Sequence, residues 1–458
     1  MKQIKDIKYF YFLGIGGIGM SALARYFNRL GKFVAGYDKT ETTLTNELMQ
    51  EGIEIHYNDN IENIPKNIID NKEDSLIVIT PAIPDNHSEK QYFIKNNYQL
   101  LKRSQLLGLI TNQSDTIAVA GTHGKTTTST IIAHIIKQSN LSCAAFLGGI
   151  ATNYNSNLLL SDKKGWIVVE ADEYDRSFLT LFPTIAVITS MDADHLDIYG
   201  DKKFMEESYS LFAQQVKEKG IIIAKKDLQL GKNVKAKIKT YSINSQADYI
   251  AENIRIEDGK FIFDFKSDEK TIKDIVFGMP GRHNVENAVA AIAVALTLGI
   301  EEEIIKSALH SFKGVKRRFE FHVQTSKKVY VDDYAHHPEE LKACISSIKE
   351  LYNDKKITGI FQPHLYSRTK DFADDFAKSL DTLDECILLD IYPARELPIE
   401  GVSSQMILDK MKIKEKKILS KQEVLKYIEK KQPEVLITLG AGDIDQLVEP
   451  IKKIYSLN

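Results

Sequence analysis

Cysteine is scarce in this 458-residue chain: Cys143, Cys344 and Cys386 are the only three, far apart and without a CxxC pair. That excludes a disulfide framework and a zinc ribbon, and makes a reducing cytoplasm the expected compartment. Proline, at 11 residues, is too rare for a fibrous or Pro-rich disordered chain. Neither sign of charge dominates, since 60 Lys and Arg against 63 Asp and Glu leave a net −3 at pH 7. No global field draws in nucleic acid or an anionic membrane, so a polyanionic ligand has to be met by local groups. An uninterrupted apolar run of about 18 residues is also missing, and no membrane-spanning helix is expected. Lys2, Lys5 and Lys8 ahead of the apolar stretch at 9–24 imitate a secretory signal, but Gly14, Gly16, Gly17 and Gly19 interrupt it.

What is present is an ordinary globular composition, 43% hydrophobic and 27% charged. A chain of this length suggests about three domains, at roughly 150 residues each. Apolar runs at 8–13, 33–37 and 76–79 read as buried strands alternating with helices at 20–30 and after Ser88. A second cycle starts with a strand at 116–120 and a helix at 129–137, continues with strands at 166–170 and 184–189, and carries an alternating, edge-like stretch at 248–277. The helix at 285–298 closes it. Strands at 328–332, 357–361, 386–389 and 435–439 form a third α/β region. The expected domains are 1–106, 107–314 and 315–458, joined by short linkers near 103–110 and 312–318.

Gly121-Thr122-His123-Gly124-Lys125-Thr126-Thr127, between a strand and a helix, has the chemistry of a phosphate loop. Glycines let backbone N–H groups face phosphate oxygens, the helix offers its positive end, Lys125 neutralises outer phosphates and Thr126 brings a hydroxyl suited to Mg²⁺. The strict GxxxxGK[ST] pattern wants glycine at 119 and finds Val119, so this is a variant loop. A second loop, Gly14-Ile15-Gly16-Gly17-Ile18-Gly19, fits GxGxxG and is a candidate diphosphate site, with Asp38 at ribose-binding distance in sequence. Alone it is a weak signal, because a structural turn needs similar glycines. Glu170, at a strand end beside Asp172, Glu173 and Asp175, makes sense as a Mg²⁺ ligand, since carboxylates repel a triphosphate unless a cation lies between them. His195, after the next strand, is a candidate for a second ion; a solvated acidic turn and a structural histidine are the plain alternatives.

Taken in order, these motifs with Glu170-Ala-Asp-Glu173, Asp194-His195, Gly281-Arg-His-Asn284, Arg317-Arg-Phe319 and Asp332-Asp-Tyr-Ala-His-His-Pro338 resemble the Mur ligases over nearly the whole chain. The resemblance implies an α/β chain of three domains: N-terminal Rossmann-like for a UDP-sugar, central P-loop ATPase-like with a mostly parallel sheet for ATP, and C-terminal Rossmann-like for an amino acid. It places the UDP-sugar diphosphate on Gly14 to Gly19, ATP phosphates on Gly121 to Thr127, and Mg²⁺ on Thr126, Glu170 and His195. It puts His283, Asn284 and Asn287 near adenine, Arg318 near the γ-phosphate and Asp333 near the ribose. His364 and Arg368 resemble the segment that receives the acceptor carboxylate, and His336 or His337 could hold the amino acid or take its amine proton. Two positions depart from the family: Ser190 stands where asparagine is common, and Leu365 where a second arginine is common.

The implied reaction activates the lactyl carboxylate of UDP-N-acetylmuramate as an acyl phosphate, which L-alanine attacks; Lys125, Glu170, His195 and Arg318 are its expected catalytic groups. ATP, Mg²⁺, UDP-N-acetylmuramate and L-alanine are the implied partners, with no nucleic acid and no stable membrane insertion, in a monomer or homodimer. A sister ligase attaching a tripeptide, a non-catalytic UDP-sugar sensor and a nicotinamide oxidoreductase are the competing readings.

Overall fold

The computed structural model describes residues 3–112, 114–161, 163, 165–192, 202–257, 259–394 and 396–456. His195 lies outside the described residues, as does Asp194.

The first sheet is built from β1 (Tyr9–Leu13), β2 (Phe33–Tyr37), β3 (Glu54–His56), β4 (Ser75–Ile79) and β5 (Gln99–Lys102), in the order β3-β2-β1-β4-β5. All its pairings are parallel. Strand order reverses on either side of β1, the place where doubly wound sheets take ligands. The second sheet comprises β6 (Thr116–Ala120), β7 (Cys143–Ala151), β8 (Ser156–Leu159), β9 (Trp166–Ala171), β10 (Ile185–Ile188), β11 (Ile221–Lys225), β12 (Lys237–Ser242), β13 (Tyr249–Glu257), β14 (Lys260–Ser267) and β15 (Thr271–Phe277). Its order is β15-β14-β13-β12-β11-β10-β6-β9-β7-β8, which places β6 between β9 and β10. The third sheet, β16 (Glu320–Gln324), β17 (Val329–Asp333), β18 (Ile357–Phe361), β19 (Glu385–Leu388), β20 (Lys416–Ile418) and β21 (Val435–Leu439), runs β16-β17-β21-β18-β19-β20. Only β16 is antiparallel to its neighbour. Central strands such as β6, β18 and β21 are buried at every residue, as parallel strands covered on both faces must be. Among the described residues no helix is long and apolar enough to cross a membrane.

The chain divides into two compact units, Met1–Glu252 with Phe265–Ile272 and Glu286–Leu309, and Asn253–Asp264 with Lys273–Val285 and His310–Asn458. Within the first unit, the first and second sheets share one hydrophobic core. The helix Ile18–Arg29 carries the joint. Arg25, 5% exposed, donates to Asn157 Oδ1 at 2.6 Å, to Glu51 at 2.8 Å and to Glu47 at 3.0 Å. Asn157 answers by donating to Ile18 O and Ser21 Oγ.

Residues 103–110, expected as a linker, are instead most of the helix Arg103–Thr111, which buries Leu106, Leu107 and Ile110. Apolar side chains three and four apart give that stretch a core-facing stripe, and the stripe decides its fate. The stretch at 312–318 is a turn, closed by a bridge between Val315 and Arg318. Two helices begin earlier than their apolar patterns suggest, at Ile18 rather than 20 and at Lys125 rather than 129. Each extra turn belongs to a glycine-rich loop whose polar residues hide helical periodicity.

Beneath the first sheet's carboxyl edge lies a buried polar cluster. Tyr11 donates to Glu89 at 2.6 Å and its hydroxyl lies 2.7 Å from His56 Nε2, while His87 Nδ1 is 3.2 Å from Asp59. Burial drives the Glu89 carboxyl up to about 7, although Tyr11 opposes it. A folded-state value above the unfolded one means the folded chain holds the extra proton between about pH 4.5 and 7. Stability therefore falls as pH rises through that window. Glu89→Gln is expected to raise Tm at pH 8 and leave it nearly unchanged at pH 5, a difference on the order of 3 kcal/mol. Equal shifts at both pH values in thermal melts would refute it.

Candidate active site

The loop after β6 is set by its neighbours. Gly124 takes φ +82° at the N-cap of the helix Lys125–Gln138, a conformation L-residues with a Cβ avoid, and a Cβ there would lie 2.7 Å from Asn287 Oδ1. Asn287 is thereby placed against the loop. Thr122 Oγ1 and Ser190 Oγ lie 2.8 Å apart, His123 N donates to Ser190 Oγ at 2.8 Å, and Thr189 Oγ1 donates to His123 O. His123 Nε2 lies 3.8 Å from Asp192. Ser190 thus closes the loop with one hydroxyl.

Lys125 is turned into this loop. Its ammonium donates to Gly121 O at 2.6 Å and to Glu173 at 2.8 Å, with the Glu173 side chain 1% exposed. Burial works against the charge, but Glu173, Glu170 and Asp172 outweigh it and hold the ammonium above its usual range. Thr126 Oγ1 donates to Glu170 Oε2 at 2.9 Å, so a hydroxyl and a carboxylate stand side by side at the helix start. Thr127 is buried in the same turn. Oxygen donors of this kind suit Mg²⁺, which is commonly held by one or two carboxylates plus phosphate. No cluster of three or more His, Cys, Asp or Glu that could hold a metal occurs among the described residues.

The other loop, Gly14 to Gly19, is tied to β2 by Gly14 N and Ile15 N, which both donate to Tyr37 O. Asp38 accepts from Gly16 N at 2.7 Å, bracing the turn, and Ile15 packs its side chain into the core. Gly17 N-caps the helix that starts at Ile18. Arg103 lies against Gly19, where a Cβ would meet its Nη1 at 2.8 Å, and pairs with Asp172 at 3.2 Å. Sequence reasoning passed over Arg103 because it sat in an expected linker.

The second compact unit gathers the remaining candidates. Burial pushes the Asp333 carboxyl up to about 6 against the pull of Arg318 and of the N–H groups of Ala335 and Phe319, both of which it accepts. His283 is driven down to about 4 by burial and then by Arg318, so it is neutral. Asn284, in the first turn of the helix Arg282–Thr297, donates to Pro280 O at 2.6 Å. Arg318 stands 5.2 Å over the Tyr334 ring and 3.9 Å from Glu340. His337 N-caps the helix Pro338–Leu351, is buried, and sets its ring edge-on to Phe372. His336, held neutral chiefly by burial, faces Glu340, Arg368 and Arg318. Its ring lies 5.9 Å from that of His364, which precedes the helix Tyr366–Leu380 carrying Arg368.

Family models cover three successive stretches: "Mur ligase family, catalytic domain" matches 9–115, "Mur ligase middle domain" 119–295 and "Mur ligase, glutamate ligase domain" 317–442. The chain belongs to the Mur ligase family. A UDP-N-acetylmuramate--L-alanine ligase of Flavobacterium psychrophilum is 53% identical over 453 residues, 99% of this Mur ligase and 98% of the relative. A protein of the same name from Parabacteroides distasonis is 51% identical over 454 residues, again 99% and 98% of the two chains. The crystal structure of a UDP-N-acetylmuramate-alanine ligase from Thermotoga maritima matches with a TM-score of 0.82 at 27% identity, covering 98% of this chain and 99% of that one. A murein peptide ligase from Psychrobacter arcticus, at 23% identity and a TM-score of 0.70, covering 97% and 99%, shares the fold. The Mur ligase architecture of three α/β domains is the one the three sheets display.

Gly148 of β7 is a site residue that no motif reveals. A Cβ on it would come within 2.6 Å of Glu170 Cδ, so the glycine makes room for the carboxylate. Gly148→Ala is expected to displace Glu170 and weaken binding of Mg²⁺·ATP by ~10-fold or more, as the loss of a supporting group at a metal site does. Calorimetric titration checks it; undiminished affinity would show that Glu170 needs no such room.

Proposed function

We propose that this chain joins L-alanine to the lactyl carboxylate of UDP-N-acetylmuramate, consuming ATP and releasing ADP and phosphate through an acyl-phosphate intermediate. The observation that carries the reading is the buried set at one helix start, Lys125 on Glu173 and Thr126 on Glu170, in a chain about half identical to relatives bearing that activity's name. Residues 1–106 take the UDP-sugar, with its diphosphate over Gly14 to Gly19 and Arg103 as a nearby cation. Residues 107–314 take ATP, and 315–458 take the amino acid.

A carboxylate is a poor electrophile, and phosphorylation gives it a leaving group. Phosphoryl transfer depends on position and charge more than on covalent help. Lys125 exchanges Glu173 for phosphate oxygens when the triphosphate enters. The N–H groups of Gly124 to Thr127, at the positive end of their helix, add to that pull. Thr126 and Glu170, with His195, would hold Mg²⁺, which supplies charge neutralisation for the transferred phosphoryl group. Arg318 is the cation for the γ-phosphate that the family motif supplies, and Asp333 and His283 bind the nucleoside. His364 and Arg368 receive the acceptor, Arg368 anchoring its carboxylate now that Leu365 fills the place of a second arginine. Asp38 holds the UDP-sugar loop in shape.

Phosphate release with ATP, Mg²⁺ and UDP-N-acetylmuramate, measured against each amino acid singly and against a tripeptide, tests reaction and acceptor together. L-Alanine is expected to support turnover and the tripeptide not. Lys125→Ala is expected to lower turnover by ~10³-fold or more, the scale seen when a transition-state charge partner is removed. UDP-N-acetylmuramate should still bind that variant. Turnover with the tripeptide alone, or a change in nicotinamide absorbance, would overturn the assignment.

A further inference from the structure

Four rings stand in a row in the second compact unit. Tyr334 and His336 lie 5.2 Å apart, His336 and His364 5.9 Å, and His364 and Tyr392 5.8 Å. One end of the row is covered by the Arg318 guanidinium. The other end, Tyr392, backs onto Gly442, where a Cβ would meet Tyr392 Cγ at 2.7 Å.

Tyr392 comes from the segment after β19, a different part of the chain from His364, and two cross-links sew it in place. In the first, Tyr392 N donates to Pro363 O at 2.9 Å and Leu365 N donates to Tyr392 O at 3.0 Å, so backbone flanks His364 on both sides. In the second, Glu396 accepts from Ser367 N at 3.0 Å and Ser367 Oγ at 2.5 Å, in the first turn of the helix that carries Arg368. Leu365, between the two, is held at φ +69°, a conformation costly for a residue with a Cβ and one that persists only where surrounding bonds over-determine it. The Tyr392 ring lies between an imidazole face and the Gly442 backbone.

We propose that Tyr392 walls the acceptor pocket and sets the largest amino-acid side chain the enzyme takes, with Glu396 as the positioning residue that holds the wall. This rests on the reading of His364 and Arg368 as the acceptor site. A pocket for a methyl group gains little by attraction, because one methylene more or less is worth only ~10- to 200-fold. Selection for a small side chain therefore comes from exclusion, and exclusion needs a wall that does not yield. A ring stacked on His364 and backed by the Gly442 backbone is such a wall.

The test measures kcat and KM for L-alanine, L-serine, L-valine and L-leucine by phosphate release at saturating ATP and UDP-N-acetylmuramate. Tyr392→Ala is expected to raise kcat/KM for valine relative to alanine by ~10-fold or more. Tyr392→Leu, which keeps apolar bulk, serves if the alanine variant does not fold, and is expected to move the ratio in the same direction. Glu396→Gln should raise KM for alanine by a larger factor than it lowers kcat, and Glu396→Asp should recover part of the loss. An unchanged valine-to-alanine ratio in a folded Tyr392 variant overturns the proposal. Arg368→Ala separates the two ideas: a raised KM for alanine with an unchanged ratio in the Tyr392 variants sinks the wall alone. An unaltered KM in Arg368→Ala sinks the acceptor-site reading, and the wall with it.

Discussion

The ammonium of Lys125, buried between the Gly121 carbonyl and Glu173, is the charge around which the central domain is organised. A charge out of water has to be paired, and removing one partner leaves the other uncompensated. The chain solves this before any phosphate arrives by ending β9 in a run of acids beside the strand that launches the loop. Strand order makes that solution available: β6 lies between β9 and β10, so residues at the carboxyl ends of those two strands flank the loop on either side. Glu170 approaches from one side and Thr189 with Ser190 from the other. The cation and the oxygen donors are thus brought together by sheet topology.

The small residues around this centre make sense as consequences of it. Gly148 lacks a side chain because Glu170 occupies the space, and Gly124 lies against Asn287. Ser190 joins Thr122 Oγ1 and His123 N through a single hydroxyl. A hydroxyl can donate and accept at once, so this short side chain suffices to fix the loop. In the first domain Asp38 has a comparable duty toward Gly16, and a carboxylate bonded to a loop N–H is better suited to shaping the turn than to facing a diphosphate directly.

Legibility in the sequence followed periodicity. The mostly apolar runs of β1, β6, β18 and β21 announced buried strands, and the glycine-lysine loop announced a helix start, because both are local patterns. The Arg103–Thr111 helix was misread as a linker since its polar first turn hides the apolar stripe that follows. Gly148 was illegible for a different reason: sheet order brings it against Glu170, which no spacing rule reports. His337 shows the converse: it sits in a motif shared with the family, and its side chain caps the helix that follows it.

Choosing between the two adjacent histidines is a matter of which nitrogen is available. His337 Nδ1 takes the N–H of Glu339 as a helix cap, and its ring is packed against Phe372. His336 Nδ1 lies 3.0 Å from the Tyr334 carbonyl, an acceptor only, so that nitrogen bears the proton and Nε2 carries the lone pair. Burial lowers the affinity of this ring for a second proton; Glu340 opposes that, while Arg368 and Arg318 add to it. A neutral imidazole with two guanidinium groups nearby gains a second proton less readily than one in water. Arg368 and Arg318 therefore help keep His336 in its neutral form, the form that can accept a proton.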